Sequence, residues 1–168
     1  MNQNKVYVYV CENNQRWQDV FMNIYLKVFG EKLQERDIQK NEFGKPICNS
    51  CFFSISHSKK LLALAFSKDI KIGIDIQISK LHTNPNKFIE KILTDEEKKT
   101  ISQISKDNLI KYWTKKESIF KLNGNEKTFN PNKIQTDNYF FFEKEIHYDS
   151  DVYYLTIASK NQFNFIFI

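Results

Sequence analysis

An acid inside an apolar run is the first feature of this chain that could do chemistry. Asp75 lies in the segment Ile72–Gln77 (IGIDIQ). A carboxylate there must be paired, lie at a cleft or coordinate a cation, because an isolated buried charge is costly; an acid that caps a strand end or faces solvent is the alternative. In a strand, Gln77 points to the same face as Asp75. Since Mg²⁺ prefers carboxylate, phosphate and water oxygens, this segment could form one wall of a metal and phosphate site.

A glutamate and a lysine one helical turn apart could form the other wall. Glu117 and Lys121 lie in the segment Trp113–Lys121 (WTKKESIFK), and residues four apart share a face of a helix. A solvated helix face is the alternative, but Trp113 and Phe120 favour a partly buried helix. Neither segment alone is strong evidence for such a site. Together they supply the acids and the cation from which a metal-dependent phosphate site can be built.

The hydrophobic pattern predicts the elements that must hold these side chains. Apolar residues at helical spacing predict a helix over residues 17–28 that ends near Gly30, and residues 94–97 (TDEE) fit a capping box. Residues 107–122 should form the long helix of the second segment, whereas residues 36–51 look irregular. This combination of helices and short strands indicates an α+β fold. Predicted strands cover residues 5–11, 52–56, 61–67, 71–77, 139–146, 152–159 and 162–168.

Composition and charge limit the class of protein. The chain has 168 residues and a formal net charge of +5, which favours an anionic partner. Its lysines are spread along the sequence and no nucleic-acid-binding motif occurs, so we expect a polyphosphate or an acidic protein and no nucleic acid. No apolar run has the length of a membrane span, and the N-terminus lacks the features of a signal peptide. We therefore expect no membrane association and a cytoplasmic location.

The cysteines do not form a disulfide framework. Cys48 and Cys51 have CxxC spacing, but zinc would need a second ligand pair, and a redox motif would need to open a helix in a thioredoxin-like unit. We interpret them as two reduced cysteines in a loop, with zinc or redox function as the alternative.

Four motifs in one order resemble the 4'-phosphopantetheinyl transferase superfamily, and within it the surfactin-synthetase-activating type. They are Glu42–Pro46 (EFGKP), Phe53–Ser58 (FSISHS), Gly73–Gln77 (GIDIQ) and Trp113–Lys121. The resemblance covers residues 37–125 well and both ends loosely. Four motifs in the right order are far more specific than any one of them.

The resemblance implies a fold and a reaction. It implies two small, similar α+β halves related by a pseudo-twofold axis, here residues 1–70 and 71–168, with the cofactor site between them. The implied enzyme is a monomer that transfers the 4'-phosphopantetheine arm of coenzyme A to a serine of an apo acyl or peptidyl carrier protein, releasing 3',5'-adenosine bisphosphate. The implied metal is Mg²⁺, with Mn²⁺ as an alternative. The implied partners belong to nonribosomal peptide or polyketide assembly rather than to fatty-acid synthesis.

The resemblance also implies a role for each motif residue. Asp75 and Glu117 would bind the metal, and Glu117 would accept the proton of the incoming serine, directly or through water. Lys121 would orient Glu117 or stabilise charge on the pyrophosphate. Gln77 stands where the family often has a third acid, so it would ligate the metal through its amide oxygen, act through water, or face the site without contact. The residues implied to bind coenzyme A are Lys45, Pro46, Ser56, His57, Asp75 and Lys116.

Two other functions fit part of the sequence. Gln77, and the lack of the basic segment that the family often has before its first motif, would suit a non-catalytic module that binds coenzyme A or a carrier protein. Glu117 and Lys121 favour the enzyme over this module. A small basic nucleic-acid-binding domain fits the charge alone. Residues 120–134, which mix apolar and basic side chains, are implied to receive the carrier protein.

Overall fold

Two sheets and one small hairpin contain the strands of the computed structural model, which describes residues 4–80, 83–100, 104–126 and 128–168. The strands are β1 (Lys5–Glu12), β2 (Ile38–Lys40), β3 (Pro46–Cys48), β4 (Phe52–Ser58), β5 (Leu61–Ser67), β6 (Gly73–Ile78), β7 (Phe140–Tyr148), β8 (Asp151–Ser159) and β9 (Asn164–Phe167). The first sheet has the order β4-β5-β1-β9, and the second has the order β6-β8-β7. β2 and β3 form the hairpin.

The helices begin and end at residues that the sequence marks. Gly30 follows the first helix with a φ of 70°, and its N–H donates to the Leu26 carbonyl. The predicted capping box is confirmed, because Thr94 and Glu97 each accept the backbone N–H of the other. Within the described ranges, no helix combines the length and the apolarity that a membrane crossing needs. The helices are α1 (Trp17–Phe29), α2 (Pro85–Ile92), α3 (Asp95–Thr100) and α4 (Lys106–Leu122).

The first sheet has apolar side chains on both faces. One face packs on α1, where Phe21 stacks on Phe53 with ring centroids 4.3 Å apart. The other face packs on the second sheet, where Ala63 and Ala65 share a core with the isoleucines of β6. All residues of β5 are buried. This strand therefore reads as an unbroken apolar run rather than an alternating one.

The outer face of the second sheet is covered by α4, and this face carries Asp75. Thr114 of α4 shares a hydrogen bond of 2.8 Å with Thr156 of β8, and Ile119 packs with Ala158. Asp75 pairs with Thr156 in the register of β6 and β8, so both point to α4. The prediction that one chemical segment lies on a strand and the other on a helix is confirmed.

The segment predicted to be irregular contains the β2–β3 hairpin. Between these strands, the Asn41 side chain accepts hydrogen bonds from the N–H groups of Phe43 and Lys45. Gly44 has a φ of 79°, a conformation that glycine adopts without strain. The prediction of irregular structure over residues 36–51 is wrong for the hairpin, because strands of three residues are too short to show an alternating pattern.

The predicted α+β class is confirmed, and one pairing joins the two ends of the chain. β9 pairs in parallel with β1, so the C-terminal strand completes the sheet of the N-terminal one. The division at residue 70 and the pseudo-twofold relation between two halves stay predictions.

Candidate active site

Asp75, Ser56 and Lys121 meet where β6, β4 and α4 converge. The Ser56 hydroxyl donates to Asp75 Oδ1 over 2.7 Å. The Lys121 ammonium donates to the same Oδ1 over 2.7 Å and to Ser56 Oγ over 2.9 Å. Asp75 is 4% exposed, so solvent screens this ion pair less than a surface pair. The structure thus brings together one predicted site residue from each of three motifs.

Alternating serines of β4 hold the neighbouring edge of β6. Ser54 Oγ accepts the N–H of Ile74 over 3.1 Å, and Ser58 Oγ accepts the N–H of Ile78 over 3.0 Å. These N–H groups lie on the edge of β6 that does not pair with β8, so the serines satisfy buried donors there. The serine between them is the one that bonds the aspartate. The SISHS pattern therefore joins the two sheets and fixes the position of the aspartate.

Gly73 allows the backbone of α4 to lie directly against β6. A Cβ atom at this position would be 1.9 Å from the Ser118 carbonyl oxygen and 2.5 Å from the Leu122 nitrogen. Both neighbours are helix backbone atoms, which cannot rotate away from an added methyl group. This close contact sets the separation between Asp75 and the helix that carries Glu117.

Glu117 lies beside the ion pair and shares its ammonium group. Its Oε2 is 3.6 Å from Lys121 Nζ, and its side chain is 22% exposed. Burial and the negative charge of Asp75 raise the pKa of the Glu117 carboxyl above its usual range, and Lys121 opposes this effect. Two carboxylates therefore lie beside one ammonium, that of Lys121, while the charge of Lys91 also acts on Glu117.

The carboxylate pair fits a divalent cation. Asp75 Oδ2 is buried and has no hydrogen-bond partner among the described residues, which leaves one oxygen available to an ion. Such an ion would also offset the repulsion that raises the Glu117 pKa. In the part of the chain that the structure describes, no three His, Cys, Asp or Glu side chains form a metal-binding group. A metal held by two acids would need further oxygen ligands from Gln77, water or substrate.

Gln77 lies two residues beyond Asp75 on the face of β6 that α4 covers. It is half-buried. Its amide oxygen can ligate a cation, but it adds no negative charge to the two acids.

A cleft of about 830 Å³ adjoins this cluster at the C-terminal end of α4. Lys45 lines the cleft, and its ammonium donates to the Lys121 carbonyl, which connects the EFGKP motif to α4. Burial and the charges of Lys71 and Lys121 lower the pKa of Lys45 to about 8. Pro46 opens β3, and the two residues that follow it also line the cleft.

The backbones of Cys48, at the end of β3, and Cys51, just before β4, pair in an isolated antiparallel β-bridge. Both side chains are free thiols that line the cleft. Burial, followed by the influence of Cys48, raises the pKa of the Cys51 thiol. A thiol with a raised pKa is a poor nucleophile and metal ligand, because the thiolate is the reactive form.

His57 lies away from the cluster. It is exposed, and it follows Ser56 in β4, so it points to the opposite face of the sheet, the one that α1 covers. A ligand bound by both Ser56 and His57 would have to pass around the edge of β4. The structure therefore does not bring His57 to Asp75.

Lys116 is buried among protein groups rather than directed to a ligand. Its side chain is 0% exposed, and its ammonium donates to Glu97 over 2.6 Å and to the Ile92 carbonyl over 2.8 Å. Burial lowers the pKa of Lys116, and Glu97 opposes this effect. This position does not support the predicted contact with a cofactor phosphate. It indicates that Lys116 connects α4 to the start of α3.

Replacing Lys116 with methionine should lower the free energy of unfolding by about 3 kcal/mol, because Glu97 loses its buried partner. The double variant Lys116→Met/Glu97→Gln should recover much of that loss. Urea unfolding followed by circular dichroism measures both. The matched control is Lys115→Met, whose pair with Glu143 is partly exposed and should contribute less than about 1 kcal/mol. If Lys116→Met left stability unchanged but weakened coenzyme A binding, the result would contradict the structural role and support the predicted contact of Lys116 with a cofactor phosphate.

Sequence reasoning missed two residues that shape this site, Gly73 and Lys71, and the second role of Glu97 outside it. The close contact at Gly73 could have been predicted, because a glycine inside a strand often marks a place where another backbone approaches closely. Lys71 precedes that strand without a motif of its own. Glu97 was identified as a capping residue, but no local pattern shows that it also pairs with a lysine on another helix.

The comparison with protein families identifies the region that contains the cluster. The family model of the 4'-phosphopantetheinyl transferase superfamily matches residues 71–157, just over half of the chain. The match includes β6 with Asp75 and α4 with Glu117 and Lys121. No curated protein matches the chain. On the matched region, the chain belongs to the 4'-phosphopantetheinyl transferase superfamily.

Proposed function

We propose that this protein transfers the 4'-phosphopantetheine arm of coenzyme A to a serine hydroxyl of an apo carrier protein, with Mg²⁺ as the metal and 3',5'-adenosine bisphosphate as the second product. The observation that carries the proposal is the convergence of Asp75, Glu117 and Lys121, all within the residues that match the superfamily. Acids that can hold a divalent cation and an ammonium beside them are recurring parts of phosphoryl-transfer sites.

The proposed reaction exchanges one phosphorus–oxygen bond for another. The serine oxygen attacks the β-phosphorus of coenzyme A, and its proton passes to Glu117. The bond from that phosphorus to the bridging oxygen breaks, and its electron pair leaves with adenosine bisphosphate. Glu117 lies beside Asp75 and Lys121, so its carboxylate is placed to accept the proton of a serine bound there, directly or through water. Lys121 stabilises the negative charge that develops on the leaving phosphate.

The residues that would hold the metal are Asp75, through its unpartnered Oδ2, together with Glu117 and Gln77. When bound, the metal would neutralise charge on the phosphate oxygens. Gln77 brings an oxygen without charge, so two formal negative charges face the ion. We therefore expect weak metal binding before coenzyme A supplies its own phosphate oxygens.

The motif set supports the surfactin-synthetase-activating type, and with it a monomer that modifies carrier domains of nonribosomal peptide or polyketide assembly. Residues 120–134 are the proposed docking region for the carrier. In this region Phe120 and Phe129 pack with ring centroids 5.0 Å apart, and Phe129 contacts Trp113. An apolar surface with nearby lysines suits an acidic amphipathic helix. Lys127 of this region lies outside the described residues.

A non-catalytic module that binds coenzyme A or a carrier is the second candidate, and Gln77 favours it. A site with a neutral amide in place of an acid could bind ligand without supporting turnover. Chromatographic detection of 3',5'-adenosine bisphosphate separates the two functions, because only the enzyme releases it. The assay contains coenzyme A, Mg²⁺ and apo carriers from peptide, polyketide and fatty-acid assembly. Release with the first two carriers is expected; coenzyme A binding without release from any carrier would favour the module.

The value of kcat/KM for coenzyme A should fall as the pH rises above about 8, the lowered pKa of Lys45. Below this pH the free enzyme carries the ammonium charge that attracts phosphate, and above it the charge is lost; kcat/KM reports such ionisations of the free enzyme. Lys45→Arg should remain charged and keep its kcat/KM across the same range. An identical alkaline fall in both proteins would contradict this role of Lys45.

A further inference from the structure

The two cysteines of the CxxC segment lie opposite each other across a short turn. Asn49 and Ser50 form the turn, and the backbones of Cys48 and Cys51 pair in the antiparallel bridge on its two sides. Opposite residues of antiparallel strands have Cα atoms about 4.5–5.5 Å apart. This separation falls within the range of about 4.4–6.8 Å that a disulfide spans. The backbone therefore already holds the two cysteines at the separation that a disulfide needs.

The two thiols also lie on the same side of this turn. Cys51 belongs to the apolar cluster under α1, and Cys48 packs against the same cluster. Burial raises the pKa of the Cys51 thiol, and a side-chain hydrogen bond with Cys48 adds to this effect, so the sulfur atoms are neighbours. Among the residues that the structure describes, no third side chain completes a metal-binding group with them. The geometry of the pair thus favours oxidation to a disulfide over a metal site.

The two cysteines differ in their access to reagents. Cys51 is 6% exposed, whereas Cys48 is half-buried, and both line the 830 Å³ cleft. A small disulfide that enters the cleft therefore reaches Cys48 first. Cys51 lies behind it, and the charge of Lys68 acts on Cys51 in the direction that favours its thiolate. This arrangement separates an attacking thiol from a shielded thiol that can resolve the intermediate.

We propose that Cys48 and Cys51 are a redox-active dithiol that forms an intramolecular disulfide by exchange with a low-molecular-weight disulfide such as glutathione disulfide. The Cys48 thiolate attacks one sulfur of the oxidant, forming a mixed disulfide, and the other half of the oxidant leaves as a thiolate. The Cys51 thiolate then attacks Cys48 Sγ, which closes the bond between the cysteines and expels the second thiolate. The two protons that the cysteines lose pass to the leaving thiolates, so the oxidant is reduced to two thiols.

A disulfide at this turn is a reversible bond rather than a structural one. The loop that it closes has only Asn49 and Ser50 between the cysteines, and a short loop gains little stability from a crosslink. Cys48 keeps the bond within reach of thiols in the cleft. Accessible disulfides are the labile and regulatory ones. The modification does not depend on the proposed transfer reaction, and its test needs no carrier protein.

The test is a redox titration of the full chain at different ratios of reduced glutathione to glutathione disulfide, followed by thiol alkylation and intact mass spectrometry. The chain has three cysteines, so the reduced protein should take up three alkyl groups. The oxidised protein should take up one, at Cys11, and peptide mapping should find Cys48 joined to Cys51. Excess reduced glutathione should restore all three. Cys11 is the internal control and should stay a free thiol, because burial and the charge of Glu12 raise its pKa.

Two single variants test the order of attack. Cys51→Ser keeps the accessible thiol and loses the resolving one, so it should accumulate a mixed disulfide of Cys48 with glutathione. Cys48→Ser should form a mixed disulfide at least about tenfold more slowly, because its remaining thiol of the pair is buried. Circular dichroism shows whether each variant is folded.

Three results would overturn the proposal. A wild type that still takes up three alkyl groups in glutathione disulfide would have no exchanging pair. A wild type that forms the bond only in urea, where the backbone pairing is lost, would show that the folded protein does not hold the thiols in place for it. Folded variants that capture glutathione at equal rates would contradict Cys48 as the attacking thiol.

Discussion

Replacing Glu117 with glutamine should lower kcat for phosphopantetheine transfer by about 10²–10⁴-fold, the range for loss of a general acid or base. Glutamine keeps the size of the side chain but cannot accept the serine proton and adds no charge to the metal site. The KM for coenzyme A should change less than kcat, because the proposed contact of Lys45 with coenzyme A does not involve this carboxylate. Stability should not fall, since the substitution relieves the repulsion that raises the Glu117 pKa.

Steady-state kinetics with saturating Mg²⁺ and thermal unfolding give the two readouts for Glu117→Gln. The matched control is Glu96→Gln, an exposed acid on α3, which should retain the wild-type kcat. A Glu117→Gln enzyme with kcat within a few fold of the wild type would remove Glu117 from the proton transfer and leave the base unassigned.

Replacing Gly73 with alanine should destabilise the protein by about 3 kcal/mol or more, at the upper end for overpacking. The added Cβ would be 1.9 Å from the Ser118 carbonyl oxygen, so β6 and α4 must move apart. This movement separates Asp75 from Lys121, and the fraction that folds should also lose transfer. Chemical denaturation measures the stability, and a carrier-modification assay on the folded fraction measures the activity.

Gly44→Ala is the matched control for the Gly73 variant. Gly44 has open space around it and a positive φ, so alanine there should cost only about 1 kcal/mol, from backbone strain. Equal losses at Gly44 and Gly73 would show that the cost comes from lost glycine flexibility rather than from contact with the helix.

Local patterns predicted the elements that carry the site. The alternation in IGIDIQ and the spacing of Glu117 and Lys121 each depend on neighbours in sequence, and the structure has β6 and α4 at these positions. The capping box of Thr94 and Glu97 is equally local. The meeting of Asp75 with Lys121 is not local; the resemblance to a family predicted it as part of one site.

Contacts between distant segments could not be read from the sequence. β9 pairs with β1, which lies almost the whole chain away in sequence. The four residues of β9 show that a strand can form there, but they do not show which strand it pairs with. The ion pair of Lys116 with Glu97 is a similar case. The pattern WTKKESIFK contains two neighbouring lysines, Lys115 and Lys116. Only packing decides that Lys116 is buried while Lys115 pairs with the partly exposed Glu143.

His57 illustrates a constraint that the sequence did contain. Ser56 is the last residue of the strand predicted over residues 52–56, and His57 follows it directly; consecutive side chains of an extended segment point to opposite faces. The motif therefore could not direct both side chains into one flat site, and the structure separates them accordingly. The part of His57 in coenzyme A binding stays a prediction, which a His57→Ala titration with coenzyme A would test.

Intact mass spectrometry of an apo peptidyl carrier protein tests whether Asp75, Glu117 and Lys121 form a transferase site. The carrier is incubated with the wild-type protein, coenzyme A and Mg²⁺, beside an EDTA control and the Glu117→Gln variant. We expect a mass gain of one phosphopantetheine arm with the wild type, lost with EDTA and slowed at least about 100-fold in the variant. A carrier that stays unmodified although calorimetry shows coenzyme A binding to the wild type would contradict the claim that Asp75, Glu117 and Lys121 form a transferase site.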